Sequence, residues 1–404
     1  MLNKIVKLLK DTFVRRRFIL HDYFCQTNTF KECWLVFKHL IMLRTLKFGS
    51  AIYEYERIAA RVMEAKYACS YASGRMALYA ILKSLGIGEG DEVLVQGFTC
   101  VAVPRAVLYT GAHPVYFDID RNTFNIDYTR IQNKITKRTK AVIVQHTFGN
   151  IADVEKVREI INNYNKKQSG DVPKDRQFTE SPSFLDRINR QKIYIIEDFA
   201  HTVGCGKLKG DVGFYFSDHT KMISTSTGGM AFTNDEEIML NLDTNWFEYS
   251  FLPTFKILQI AFTFMVETII THPKVYWLLR PLRILLDKIR VFFFFRDENR
   301  LSKPKEYPLR LSNLQAAIGI SQLNRLPSYF KKMRQFSIFP LRDVYVIEDD
   351  RVRERYKDKF KENYVVSGVW FNSLVFGCKD LSTVYYEDGS CPVAEDVWAI
   401  IVGN

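Results

Sequence analysis

The sequence predicts an α/β fold: a large domain on a mostly parallel mixed sheet, followed by a small C-terminal α/β domain. Two observations predict it. Between about residues 65 and 235, short apolar runs bounded by turn residues alternate with stretches of helical spacing. The chain also has 404 residues, 47% of them hydrophobic, enough to bury the core of a large domain and of a smaller one.

Residues 1–50 read as a basic amphipathic arm. Ile5, Leu8, Leu9 and Phe13 lie among Lys4, Lys7, Lys10 and Arg15–Arg17, and Lys31, Lys38, Arg44 and Lys47 follow. Only Asp11, Asp22 and Glu32 oppose them, so much of the formal net charge of +12 is local. Such an arm suits an anionic surface better than it suits a nucleic-acid-binding fold. Two readings stay open for it: packing on a partner subunit, or lying in a membrane interface.

Residues 51–245 form the expected large domain. Val93–Val95, Val115–Phe117, Ala141–Val144 and Ile193–Ile196 read as buried strands, and Leu78, Leu82 and Leu85 mark a helix between them. Residues 163–190 are polar, contain Gly170, Pro173 and Pro182, and read as a surface loop. Residues 246–300 change character. Ile257–Val266 is apolar and uncharged, yet at ten residues too short to span a bilayer, which needs about 20. The basic and aromatic stretch after it, ending in Phe292–Phe295, fits a helical insertion in a membrane interface, an oligomer contact or the core of a substrate domain. Residues 301–404 read as the small C-terminal domain, in which Leu314, Ala317, Ile318 and Ile320 give helical spacing.

Several function classes fall away. No Cys/His zinc spacing, helix-turn-helix signature or RNP-like aromatic motif occurs, so nucleic acid is not an expected partner and no metal is expected. The seven cysteines are scattered and odd in number, which reads as free thiols in a reducing, cytoplasmic setting. Lys4, Lys7 and Lys10 break up the first apolar residues, so no secretory signal is expected.

Four local features carry chemistry. Ser73–Gly74–Arg75 opens a helix, whose free N–H groups and positive dipole end suit a phosphate or, equally, an ordinary cap. Asp198 ends an apolar strand, at the sheet edge where ligands gather in α/β folds; there it could pair with a protonated ring nitrogen or cap the next helix. Lys221 lies in a polar loop ending in Gly228–Gly229, where a Schiff-base lysine could be held as easily as a surface lysine. Arg310–Gly319 begins with an N-capped helix.

Together and in this order these features resemble the DegT/StrS-like sugar aminotransferases, which are pyridoxal-phosphate (PLP) enzymes of fold type I. The resemblance covers roughly residues 50–240 and 305–330. It is carried by GIGEGDEVLVQGFTCVAVPRAVLYTGAHPVYFDIDRNTFNID, IIEDFAHTVG, the lysine loop and RLSNLQAAIGISQL, with an echo at Pro392–Glu395. It implies that Lys221 bonds the cofactor and is catalytic, that Asp198 pairs with the pyridine nitrogen, and that His201 lies beside the ring. It implies further that Gly74 and Arg75 hold the phosphate through their backbone, that Ser217 lies next to the phosphate serine, and that Cys100 stands where an aromatic residue usually stacks. The implied reaction moves an amino group from an amino acid, usually glutamate, to a keto sugar, nucleotide-linked in the family's habit, for surface polysaccharide, and the implied assembly is a homodimer. Contact with the membrane's inner face is an expectation from the composition of the arm and the insertion, not from the resemblance. A dehydratase, a membrane-borne acceptor and a non-catalytic homologue are the alternatives; dehydrating relatives typically carry His in place of the lysine.

Departures from the pattern cluster on the phosphate. Phe216 stands at the place of the phosphate serine, Ser226–Gly229 replaces Gly-Glu-Gly-Gly, and Pro308 replaces an asparagine. The C-terminal domain is also expected to be short between about 330 and 345.

Overall fold

The computed structural model of the chain describes residues 28–169, 192–218, 221–270, 301–328 and 380–403, with residues 272, 278–279, 282, 344–346, 375–376 and 378. The first half of the basic arm, most of the expected loop at 163–190, Phe292–Phe295 and the expected shortening at 330–345 lie largely outside the described residues.

Helix α1 (Phe30–Ile41) opens on a capping box of Thr29 and Glu32. Helix α2 (Ala51–Val62) leads into strand β1 (Tyr67–Tyr71). Helix α3 (Gly74–Ser84) follows, with Ser73 Oγ accepting from the Met76 N–H as its N-cap. Then come β2 (Glu92–Gln96), β3 (Thr99–Cys100), α4 (Ala102–Thr110), β4 (His113–Phe117), β5 (Thr139–Gln145) and α5 (Val154–Ser169). The helical reach of α5 to Ser169 corrects the expected loop: its first seven residues continue the helix. Strands β6 (Tyr194–Asp198), β7 (Val212–Phe216) and β8 (Gly229–Thr233) complete the main sheet.

That sheet has seven strands in the order β1-β8-β7-β6-β5-β2-β4. Strands β7, β6, β5, β2 and β4 run parallel, and β8 is antiparallel to both neighbours. The mostly parallel mixed sheet expected from the sequence is what forms, and the four apolar runs are β2, β4, β5 and β6.

Period-two alternation explains the layers. Val93 and Val95 of β2, Ala141 and Ile143 of β5 and Ile196 of β6 join one core with Ala77, Leu78, Ile81 and Leu82 of α3. Leu94, Val142, Val144 and Ile195 face the other way and join Val154, Val157 and Ile161 of α5. Each strand is therefore covered on both faces, which is why its sequence reads as an unbroken apolar run.

After the sheet come α6 (Glu236–Glu248), α7 (Thr254–Ile270) and α8 (Asn313–Leu323). Helix α8 packs against α1 and α2. Among the described residues no helix is long and apolar enough to cross a membrane. The C-terminal elements are β9 (Val344–Val346), β10 (Val375–Phe376), α9 (Pro392–Ile400) and β11 (Ile401–Gly403). Strand β10 pairs with β3, and buried Asp118 accepts from the N–H groups of Val393 and Ala394. A carboxylate from the large domain thus caps α9 and ties the chain's end to the sheet.

Candidate active site

Three sheet ends and one helix start meet around Lys221. Asp198 is the last residue of β6, at the carboxyl edge of the parallel strands, and is buried. Its Oδ1 accepts from the Ala200 N–H at 2.9 Å. Burial pushes its carboxyl up to about 6, against the opposing pull of that hydrogen bond and of the Lys221 charge.

Three residues on, buried His201 stacks on Phe148, with ring centres 5.7 Å apart and planes at 6°. Its Nδ1 lies 3.3 Å from the Phe148 N–H, which can only donate. The neutral imidazole therefore carries its proton on Nε2. That nitrogen faces the Lys221 Nζ at 3.5 Å.

Lys221 is half-buried in the loop between β7 and β8. The loop is held from outside by two amides one face of α8 presents. Gln322 accepts from the Ser224 N–H at 2.7 Å and donates back to the Ser224 carbonyl at 2.8 Å. Gln315 donates to the Thr227 carbonyl, while its oxygen accepts from Ser312 to complete the capping box of α8. Sequence reading identified the cap but not this second use, because nothing local to 312–322 reports a partner some ninety residues away. Thr227 in turn donates from Oγ1 to the Ala72 carbonyl at 2.8 Å.

Gly74 begins α3 beneath this loop. A Cβ on Gly74 would sit 2.2 Å from Phe216 Cδ1, and a Cβ on Gly229 would sit 2.4 Å from Gly74 Cα. Two glycines thus let β8, the ring of Phe216 and the start of α3 close on one another. Phe216 also lies 5.8 Å from Lys221 Nζ, so one ring touches both halves of the site.

A cavity of about 410 Å3 opens on the α3 and α7 side of Phe216, lined by Ser73, Gly74, Arg75, Phe216, Asp218 and Lys256 and not by Lys221, His201 or Asp198. Arg75 is nearly buried, with its guanidinium 6.0 Å from the Tyr109 ring centre. Ser217 turns to the opposite side of its strand, where its Oγ meets Thr225 Oγ1 at 2.9 Å. Cys100 sits half-buried in β3, beside β10. Phe98 is fully buried against Phe124 and Phe148. The structure therefore gathers Lys221, His201 and Asp198 at one point and Gly74 and Arg75 at a second, with Phe216 between them. Lys256 comes from the insertion, a contribution the sequence did not disclose.

The donor set fits a pyridoxal phosphate. An aldehyde needs an amine, which Lys221 supplies; a pyridine nitrogen needs an acid, which Asp198 supplies; a phosphate needs N–H groups or cations, which the start of α3 and Arg75 supply.

A mixed sheet of this order, with a lysine loop before its antiparallel strand and an acid at the edge of β6, is the architecture of the fold type I PLP-dependent transferases. Residues 36–171, about a third of the chain, match the model of the DegT/DnrJ/EryC1/StrS aminotransferase family. The matched stretch stops short of Asp198 and Lys221.

The chain is 34% identical over 197 residues to a GDP-perosamine synthase of Caulobacter vibrioides, covering 47% of this chain and 46% of that protein. It is 26% identical over 325 residues to the GDP-perosamine synthase of Escherichia coli O157:H7, covering 79% and 69%. The chain thus spans under half the length of the first relative. The solved aminotransferase of Psychrobacter cryohalolentis shares the fold, with a TM-score of 0.64 at 20% identity over 93% of this chain and 91% of that one.

Proposed function

We propose that the protein is a PLP-dependent aminotransferase. It takes an amino group from an amino acid, glutamate by preference, and gives it to a keto sugar, nucleotide-linked, for surface polysaccharide or glycoconjugate synthesis. The observation that carries the reading is the approach of Lys221 Nζ to His201 Nε2 beside a buried acid at the end of β6. The names of the relatives, two of them GDP-perosamine synthases, support the class of acceptor.

The residues divide the work. Lys221 would bond the cofactor, Asp198 would face its ring nitrogen, and Gly74 and Arg75 would hold its phosphate. The bound cofactor supplies an electron sink for the carbon next to the amine. Lys221 Nζ would remove and return the proton at that substrate carbon. His201 Nε2, 3.5 Å from this amine, would orient it. Asp198, ionised above about pH 6, would hold a protonated ring nitrogen. The Gln315–Gln322 clamp keeps the loop in place while the proton moves.

Borohydride reduction followed by peptide mass spectrometry tests this. The expected result is a reduced cofactor on Lys221, a yellow protein that Lys221→Ala renders colourless, and 2-oxoglutarate formed from glutamate. An unmodified Lys221 peptide from protein saturated with cofactor would end the reading.

The finer parts of the proposal are a homodimer, as the fold class implies, and contact with the inner face of the membrane. The division into an arm, a large domain, an insertion and a small C-terminal domain belongs to the same proposal.

A further inference from the structure

We propose that α1 and α7 together form a docking face for an anionic lipid surface. The inference deepens the membrane contact just given and does not depend on the chemistry at Lys221.

On α1, Phe30, Trp34, Phe37 and Ile41 recur at spacings of four, three and four and stand exposed, Trp34 by 56%. On α7, Phe255, Leu258, Phe262 and Ile269 recur at spacings of three, four and seven and stand exposed, Phe262 by 54%. The opposite side of each helix is occupied: Val36 of α1 and Ile257, Ile260 and Phe264 of α7 share one buried cluster.

The two helices run antiparallel, since Phe30 meets His272 with ring centres 5.5 Å apart and Cys33 pairs with Thr268. At 100° per residue, each stripe lies roughly a quarter turn beyond the contact with the other helix, and each core side lies about a quarter turn before it. In an antiparallel pair these rotations bring both stripes to the same outer side, away from the core.

The face is fixed to the body. Glu32, fully buried on the inner side of α1, accepts from Ser321 and Arg325. An apolar face this broad, on helices tied down from behind, marks a surface that meets something.

Charge decides what it meets. Lys31 and Lys38 flank the stripe of α1, Lys38 Nζ lies 5.7 Å over the Trp34 ring, and Arg44 and Lys47 follow. The acid of α1, Glu32, and that of α7, Glu267, are both buried. A second copy seated symmetrically on this face would set the same cations near one another, whereas anionic head groups would neutralise them. Aromatic rings among lysines at the level of the head groups are the composition of an interfacial helix.

The test is flotation of the full-length protein with vesicles of phosphatidylcholine, alone or mixed with phosphatidylglycerol. Wild type is expected to float with the mixed vesicles and to bind phosphatidylcholine alone at least about tenfold more weakly. Trp34→Glu and Phe262→Glu, both at exposed positions, should each weaken binding about tenfold or more at an unchanged melting temperature. Lys31→Gln with Lys38→Gln should lose the preference for the anionic mixture about tenfold. Lys221→Ala should float like wild type, which separates this inference from the catalytic one. Wild type that fails to float, stripe variants that float unchanged, or stripe variants that only change the oligomeric state in light scattering would each overturn it.

Discussion

The phenyl ring of Phe216 rests on the backbone of Gly74, so closely that a methyl group on that glycine would fall 2.2 Å from Cδ1. The contact puts an aromatic wall where the family resemblance expects a hydroxyl for the cofactor's phosphate, and it leaves only glycine admissible beneath.

Gly74→Ala should therefore destabilise the protein by about 1–3 kcal/mol, the usual cost of overpacking a rigid core. Phe216→Ala in the same chain should recover most of the loss, and melting curves of the two single variants and the double variant measure the coupling. Phe216→Ser replaces the ring by a hydroxyl. Its expected effect is tighter binding of pyridoxal phosphate, by about fivefold for one added hydrogen bond, with pyridoxal lacking phosphate unchanged; titration of the apoprotein reads both.

Asp198 sets a pH signature. Its carboxyl is raised from the ordinary 3.8 to about 6 by burial, so the fold prefers the protonated form. For a group raised in the folded state, the stability it gives is complete below about pH 4 and is lost as pH climbs to about 6. Apoprotein melting temperatures should accordingly fall from pH 4 to 6 in wild type relative to Asp198→Asn. The variant should be the more stable at pH 7 and the poorer at holding cofactor. A constant difference across that range would exclude the assignment.

Gln322 ties the lysine loop to α8. Gln322→Leu leaves the buried Ser224 N–H and carbonyl without that side chain, at an expected cost of about 1–3 kcal/mol. Slower attachment of cofactor to Lys221 should accompany it, followed by the growth of absorbance after mixing.

Ser226 has φ of 63°, in the left-handed region, at the place where the family pattern has glycine. That conformation is one glycine adopts at the least cost. Ser226→Gly removes a steric cost of about 1 kcal/mol per residue, partly offset by the entropy of an added glycine. A small rise in melting temperature with cofactor affinity intact is the expected outcome.

Much of the fold was legible. Strands buried on both faces write themselves as aliphatic runs, so β2, β4, β5 and β6 could be read from Val93–Val95, Val115–Phe117, Ala141–Val144 and Ile193–Ile196. Strands β1, with Ser70, and β7, with Gly213, break that pattern and went unread; their faces close against α2 and α3 through Tyr71, Tyr215 and Phe216. The apolar run Ile257–Val266 sits inside α7, which extends three residues before it and four beyond. Of the site, the lysine, the acid and the glycine at a helix start are local features, and order along the chain was enough to connect them. The clamp by Gln315 and Gln322, and the entry of Lys256 into the cavity, depend on contacts across the fold that no local spacing encodes.

One amide has a wider reach. Gln322 donates to Ser224 in the lysine loop and also, at 2.9 Å, to Asn28 just ahead of α1. A single side chain is thus shared between the base of the outward-facing helix and the segment bearing the reactive amine. Any coupling that this side chain carries would be reciprocal: the part of an arm contact's free energy that reaches the loop equals the part that ordering the loop returns to the arm.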